Sequence, residues 1–397
     1  MDAHGSNDER APAELGPWSV SCGCDGHGDH LGCDAGCVDY GCAHPLGVEV
    51  TDPNEDAAFA RGGVPLDERV LARLRRTGRH VIVTPTDGGH RRPGAAEALV
   101  ALAPRVATAA RLGVAWPPLF GPGPVLVVGA GGSYPAAELI ARLARHAGVF
   151  ASAAKPLDVT GPVPELVAVS YSGTSPDVAE AIRLARRAGC TKVTLITGSL
   201  TAPLADAADV VVCHRDGTDA HGDVERGFLS FAATIAPAAA VAACISGAAA
   251  PPGAASVSGE SLVAGVGPLE VVASGWAWPA ALDVESKWTE AALGVVRLHE
   301  AKDLSHGRYL SVLAGQHPRV LHLIAGPDTG YDAALSSTLH AHANVTTVRA
   351  GHGPLGALGL LSAVAHLAVA AGVAAGVDIS RPDFIPSAGT DLYAWQW

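Results

Sequence analysis

The sequence predicts an α/β protein made of two doubly wound parallel-sheet domains behind a Cys-rich N-terminal extension. Three observations carry that prediction. Short continuous apolar runs, the mark of strands buried on both faces, alternate with longer helical stretches. Strand-to-helix junctions fall in Gly- and Ser-rich turns, as βαβ units require. The alternation runs twice, once on each side of the Pro/Gly/Ser stretch at 251–259.

Taken in order, 1–60 is a Cys-rich segment and 61–120 a helical lead-in, with helical apolar spacing over 66–78 and 95–112. GPGP at 121–124 punctuates the chain. The first domain, 121–250, opens with VLVVGAG (125–131), a strand, and a helix over about 134–147. LVAVSYSG (166–173) is a strand and 176–188 a helix; TKVTLITG (191–198) and DVVVCH (209–214) are strands. A long apolar helix covers 226–246, and PPGAASVSG (251–259) reads as a linker. The second domain, 260–397, repeats the plan. Strands are expected at 269–275, 319–326 and 344–351, and helices at 279–296, 331–342 and 354–373.

Composition excludes several function classes. The 397 residues (40.0 kDa) carry 27 basic and 39 acidic side chains, a net charge of −12, with no Lys/Arg cluster. That balance argues against a nucleic-acid partner. A hydrophobic content of 48% is enough to build a core and argues against a disordered chain. Mean hydropathy is +0.25, yet the most apolar stretches, 232–250 and 360–377, are dominated by Ala and Gly and broken by Pro, Ser or His. They read as buried helices, so no membrane partner is expected. The start, MDAHGSNDERAPAEL, has no basic region followed by an apolar core, and a cytoplasmic location is the expectation. Lysine is scarce: Lys155, Lys192, Lys287 and Lys302 are all there are.

Five of the eight cysteines, Cys22, Cys24, Cys33, Cys37 and Cys42, lie among His27, His30 and His44. Thiolate and imidazole suit zinc, but the spacing CxC-x8-C-x3-C-x4-C matches no standard zinc or iron–sulfur pattern. A segment whose thiols do nothing specific is the plain alternative, and no metal is assigned. Cys190, Cys213 and Cys244 stand alone in apolar surroundings and read as small core residues.

Two turns at strand ends can carry chemistry. One is Gly129-Ala130-Gly131-Gly132-Ser133; the other is Ser170-Tyr171-Ser172-Gly173-Thr174-Ser175. A helix N-terminus offers unpaired N–H groups and the positive end of a dipole, Gly admits a phosphate close to the backbone, and hydroxyls add donors. Neither turn contains Lys or Arg, so a phosphate here would be held by neutral donors. No GxxxxGK[ST] occurs, and GxGxxG is unmet because position 134 is Tyr; no cofactor is expected. Ordinary Ser/Thr-capped connections are the plain alternative.

The order strand, GxGGS, helix, strand, SxSGx[ST], helix, strand resembles the sugar isomerase (SIS) domain family over roughly 120–397. The resemblance implies two SIS-type domains and a phosphosugar ligand held by Gly131, Gly132, Ser133, Ser170, Ser172, Gly173, Thr174 and Ser175. A second stretch runs Glu285-Ser286-Lys287-Trp288-Thr289-Glu290, then Arg297-Leu298-His299-Glu300-Ala301-Lys302-Asp303-Leu304-Ser305-His306-Gly307-Arg308. It is similar to the isomerase half of glucosamine-6-phosphate synthase. That resemblance places Glu290 on the family's catalytic glutamate, His306 on the histidine of its H-G-P, and Glu300 on the acidic residue between. Gly376-Val377-Asp378-Ile379-Ser380-Arg381-Pro382 is similar to the family's tail. The chain departs from the pattern at two points. Arg308 stands where the family has proline, and the family's tail lysine falls near Ser387. The first 120 residues or so are too short for a glutamine amidotransferase domain, so none is expected there.

The chemistry these residues suit can be stated on its own terms. Aldose–ketose isomerisation moves a proton between neighbouring carbons through an enediol. It needs a base, often a carboxylate of raised pKa, and ring opening needs a second acid/base, for which His is suited near neutrality. Lys287 and Glu290, three apart on a helix, share a face, so Lys287 is expected to orient or tune Glu290; a surface ion pair beside a core Trp288 is the alternative. Arg308 offers a bidentate partner for a substrate anion. His299, Glu300 and His306 have ligand chemistry for a metal, but no HExxH spacing. The expected protein is a sugar-phosphate aldose–ketose isomerase, a homodimer with sites near subunit contacts as the resemblance implies. The alternatives are a different transformation of a phosphorylated sugar or nucleotide-like metabolite, or a non-catalytic phosphosugar sensor.

Overall fold

A computed structural model describes residues 95–199, 201–215, 229–259, 268–313, 318–327 and 330–379. The cysteine cluster at 22–42, the expected helix at 66–78 and the tail beyond Ile379 lie outside the described residues.

The first sheet contains β1 (Val125–Gly129), β2 (Ala151–Ala154), β3 (Glu165–Val169), β4 (Lys192–Thr197) and β5 (Val210–Cys213), in the order β2-β1-β3-β4-β5, all parallel. The second contains β6 (Ala255–Gly259), β7 (Leu269–Ala273), β8 (Val296–Glu300), β9 (Arg319–Ala325) and β10 (Asn344–Ala350), in the order β6-β10-β9-β7-β8. All its pairs are parallel except β6 with β10. Read from β8, the second sheet repeats the connectivity of the first, with an antiparallel strand closing its far edge.

The stretch 251–259 is therefore no simple linker. Its last five residues pair antiparallel with β10, Val257 opposite Val348. Ser and Gly disguise the strand, because an edge position does not demand the apolar run of a central one. Two further edge strands carry no apolar run either. β2 is Ala-Ser-Ala-Ala, and β8 is Val-Arg-Leu-His-Glu within the stretch singled out above for its charged residues.

Helices α1 (Ala95–Val100) and α2 (Leu102–Val114) divide the single helix expected over 95–112. They are followed by α3 (Tyr134–His146), α4 (Pro176–Arg187), α5 (Ala232–Ser246), α6 (Trp278–Glu290), α7 (Gly330–His340) and α8 (Gly353–Ala375). The end chemistry of α4 is complete: Ser175 caps it by accepting from Val178 N–H, Pro176 and Asp177 open it, and Arg186 and Arg187 close it.

The strands of each sheet alternate between a shared core and an outer core of their own. Val127 of β1 and Val271 of β7 join one large cluster with Leu139, Ile140, Phe231, Trp288, Leu360 and Leu361. That cluster is shared by both sheets and filled by α3, α5, α6 and α8. Val128 faces the other way, onto Val178 and Ile182 of α4, and Val272 faces Leu335 and Leu339 of α7. Among the described residues α8 alone has the length and hydropathy of a membrane span, and 72% of its most apolar window is buried inside the protein. Its neighbours are α5, α6, β9 and β10, so it is a core helix.

Candidate active site

The turns after β1 and β7 are built alike. Gly131 (φ 49°) opens the turn Gly131–Ser133 before Tyr134-Pro135, and Gly275 (φ 53°) opens Gly275–Ala277 before Trp278-Pro279. A positive φ is cheap only for glycine, which fixes that residue in both. Ser133 N–H donates to Ala130 O at 2.9 Å, and Ala277 N–H to Ser274 O at 3.0 Å. In the first sheet this turn lies beside the next one, because Gly129 and Val169 are register partners. The chain reverses its direction across the sheet between β1 and β3, and ligands of open α/β sheets bind at the carboxyl ends of strands at such a switch point.

In the second turn, Ser172 and Thr174 are exposed and their hydroxyls are 2.8 Å apart. Gly173 (φ 65°) is buried, its Cα turned toward Ala202. Ser170 is buried, and its N–H donates to Ile196 O; Ser175 is occupied as the cap of α4. Of this turn, Ser172 and Thr174 thus present to solvent two hydroxyls that are hydrogen-bonded to each other.

A cleft of about 610 Å³ opens between turns of the first sheet and α6 of the second. One wall comes from Ala130, Gly131, Tyr134, Pro135, the segment 155–158 and Asp177; the other is α6, through Leu282, Glu285, Ser286, Thr289 and Glu290. The fold therefore brings Glu290 to the same space as Ala130 and Gly131, whereas Gly132, Ser133 and the Ser170–Ser175 turn are not on the lining of this cleft. Burial pushes the Glu290 carboxyl above its ordinary pKa; a hydrogen bond from Ser286 Oγ to Oε1 (2.6 Å) and the nearby Lys287 charge pull it partly back. A carboxylate of raised pKa in a cleft is suited to general-base work.

Lys287 tunes Glu290 through its charge and not through a direct pair. Its ammonium is buried and pairs with Asp283, four residues earlier, rather than with Glu290. Two opposite charges on one helix face choose the i, i+4 partner that is also buried, since an unpaired buried charge would be costly. It is a core pair, not a surface one, and Trp288 beside it is buried as expected. Thr234 Oγ1 donates to Gly132 O at 2.8 Å and also lies against Asp283, so the pair is tied to the Gly131 turn. Burial raises the Asp283 pKa more than Lys287 and Thr234 lower it.

The remaining residues of the second stretch stand apart from the cleft lining. Glu300 accepts from Lys302 N–H (2.7 Å) and Asp303 N–H (3.2 Å), capping a short helical turn. His306 and Arg308 are exposed, and Arg308 lies 3.4 Å from Asp303. His299 is buried, with Nε2 2.7 Å from Glu270. The residues that sequence reading passed over are Tyr134, Lys155, Asp158 and Asp177. The signal for Tyr134 was present in the repeated aromatic-Pro-Ala-Ala after each turn. Lys155 and Asp158 follow β2, the strand whose composition hides it.

Residues 119–245 match the family described as SIS domain. No curated protein sequence matches the chain. Among solved structures, the C-terminal domain of glucosamine-fructose-6-phosphate aminotransferase from Francisella tularensis is similar with a TM-score of 0.58 at 13% identity, covering 75% of this chain and 100% of that one. Glucosamine-6-phosphate deaminase from Thermotoga maritima has a TM-score of 0.56 at 13% identity, covering 73% and 97%. Tagatose-6-phosphate ketose/aldose isomerase from Escherichia coli has 0.53 at 18%, covering 70% and 92%. At these identities the likeness is one of fold, and it extends over both sheets. The chain carries a SIS domain in residues 119–245.

Proposed function

We propose that the protein is an enzyme acting on a sugar phosphate, an aldose–ketose isomerase working through an enediol. The observation that carries the reading is Glu290: a carboxylate of raised pKa in a cleft that Gly131 also lines. In this reading Glu290 removes the proton from the carbon next to the carbonyl and returns it to the neighbouring carbon. The phosphate is received at the switch point by Gly131, Gly132 and Ser133 and by the hydroxyls of Ser172 and Thr174. Ser170, Gly173 and Ser175 shape that turn. Lys287, through Asp283 and Thr234, holds the Gly131 turn against α6 and so positions Glu290 relative to it. Likeness of fold to a tagatose-6-phosphate ketose/aldose isomerase and to a glucosamine-6-phosphate deaminase supports sugar-phosphate chemistry as the class.

The assembly proposed is a cytoplasmic homodimer. His306 and Arg308 lie on an exposed stretch outside their own cleft, a placement suited to completing the site of a second copy, and Glu300 caps the turn that leads into it.

The test is incubation with hexose, pentose and heptose phosphates in deuterated water, following exchange at C1 and C2 by NMR. Exchange that vanishes in Glu290→Gln supports isomerisation. Binding without exchange across the whole panel would identify a sensor instead. A second reading, a reaction on an amino sugar phosphate, is favoured by four carboxylates on the cleft lining, Asp158, Asp177, Glu285 and Glu290, which suit a cationic substituent. Ammonia release from the amino members of the panel separates it.

A further inference from the structure

The cleft poses an electrostatic problem for the ligand proposed above. Among the described residues its lining carries the four carboxylates Asp158, Asp177, Glu285 and Glu290, and a single cationic side chain, Lys155. A phosphate carries close to two negative charges near neutrality. Neutral hydroxyls and backbone N–H groups give it direction and hydrogen bonds, yet they do not offset the repulsion of acidic walls.

The other three lysines are committed elsewhere. Lys192 pairs with Glu165 and donates to Leu119 O at 2.9 Å. Lys287 is buried against Asp283. Lys302 lies over the Tyr331 ring at 3.7 Å from its centroid. Lys155 differs from all of them: it is exposed in the cleft, and its ammonium sits 5.5 Å from the centroid of the Tyr134 ring. Tyr134 is the first residue of α3, directly after the Gly131–Ser133 turn. The aromatic face thus holds the cation near the helix N-terminus and the turn, on the wall opposite Glu290. β2 fixes this placement, since Lys155 follows its last residue and β2 is the neighbour of β1 in the sheet.

We propose that Lys155 is the cation that contacts the substrate's phosphate, poised by Tyr134 at the Gly131 turn. It supplies from β2 the charge that neither Gly/Ser turn contains. The inference rests on the sugar-phosphate reading of the cleft, and the experiment keeps the two separable. Binding of a stabilising sugar phosphate, of its unphosphorylated parent sugar and of inorganic phosphate is measured by calorimetry for the wild type, Lys155→Met and Lys155→Arg. Because Lys155 is exposed, both variants are expected to fold, which their melting temperatures check.

The expected result is a loss of about tenfold or more in affinity for the sugar phosphate in Lys155→Met, the scale of one charge-assisted hydrogen bond. Lys155→Arg recovers most of it, and the parent sugar binds all three proteins alike. Equal affinity of wild type and Lys155→Met for the sugar phosphate would overturn the assignment while leaving the sugar-phosphate reading intact. So would a variant that binds normally and loses only proton exchange, because Lys155 would then act at the reacting carbons. If the wild type itself binds no member of the panel, the function proposed above has failed, and the role of Lys155 fails with it.

Discussion

Glu290 is held by one strong local partner, and that makes its role measurable beyond simple deletion. Glu290→Gln keeps the shape and removes the base, so exchange is expected to fall by about 10²–10⁴-fold with the fold retained. The sign of the pH effect follows from its surroundings. The base works only when ionised, and burial raises its pKa, so the acid limb of the rate profile should lie above the ordinary carboxylate range. The Ser286 hydroxyl donates to the carboxylate and favours the charged form. Ser286→Ala removes that bond, raises the pKa further and should move the acid limb to higher pH, with a smaller loss at the plateau. An acid limb that stays put in Ser286→Ala would show that another group sets it. At the same scale, Ser172→Ala with Thr174→Ala should reduce the thermal stabilisation given by sugar phosphates. Equal stabilisation would remove those hydroxyls from the site. The sequence singled out Glu290 and the two turns because their residue types stand close together along the chain. It missed Tyr134, Lys155, Asp158 and Asp177, because what assembles them is the register of β1 with its neighbours, and no linear spacing expresses that.

At the scale of elements, the helices do more than cover the sheets. α6 follows β7 of the second sheet and supplies one wall of the cleft, and its buried Lys287–Asp283 pair anchors it beside Thr234 of α5 and the Gly131 turn. Removing one partner of a buried pair leaves an uncompensated charge, at a cost of about 3–5 kcal/mol. Lys287→Met should therefore destabilise strongly, and adding Asp283→Leu should restore much of the loss; denaturant midpoints for the three proteins check this. If the double variant is no better than the single, hydrogen bonding through Thr234 matters more than the charge pair. The α2–α5 contact is as demanding. A Cβ at Gly113 would come within 2.1 Å of Ala240 O, a backbone atom that cannot rotate away. Gly113→Ala should cost about 2–3 kcal/mol, in the range of overpacked cores. Central strands and long helices were legible in the sequence because burial on both faces demands continuous apolar runs. β2, β6 and β8 were not, since edge strands tolerate Ala, Ser, Arg and His, and their identity resides in pairing partners far along the chain.

Across the whole molecule, the shared core of α3, α5, α6 and α8 should make the two sheets unfold together, with buried titrating groups setting the response to pH. His214, packed against Tyr171 below the Ser172 turn with ring centroids 5.6 Å apart, is fully buried, and desolvation lowers its pKa from 6.5 to about 3. Between those two values the unfolded chain takes up a proton that the folded chain refuses. Its contribution to stability is therefore present above pH 6.5 and lost progressively as the pH falls toward 3. Asp283 and Glu290 act with the opposite sign. Their folded-state pKa values are raised, so folding retains their protons, and stability from them declines as the pH rises through the window above the ordinary carboxylate values. The two effects overlap in mildly acidic solution and partly cancel, so the wild-type profile alone would not reveal either. Single variants separate them. His214→Leu should flatten the loss of stability between about pH 6 and pH 4.5 by a slope approaching one proton, whereas Glu290→Gln should steepen it. Denaturant unfolding at a series of pH values measures both slopes. A His214→Leu profile that still parallels the wild type would mean that His214 is not buried in its neutral form, and that the floor beneath the Ser172 turn is open to water.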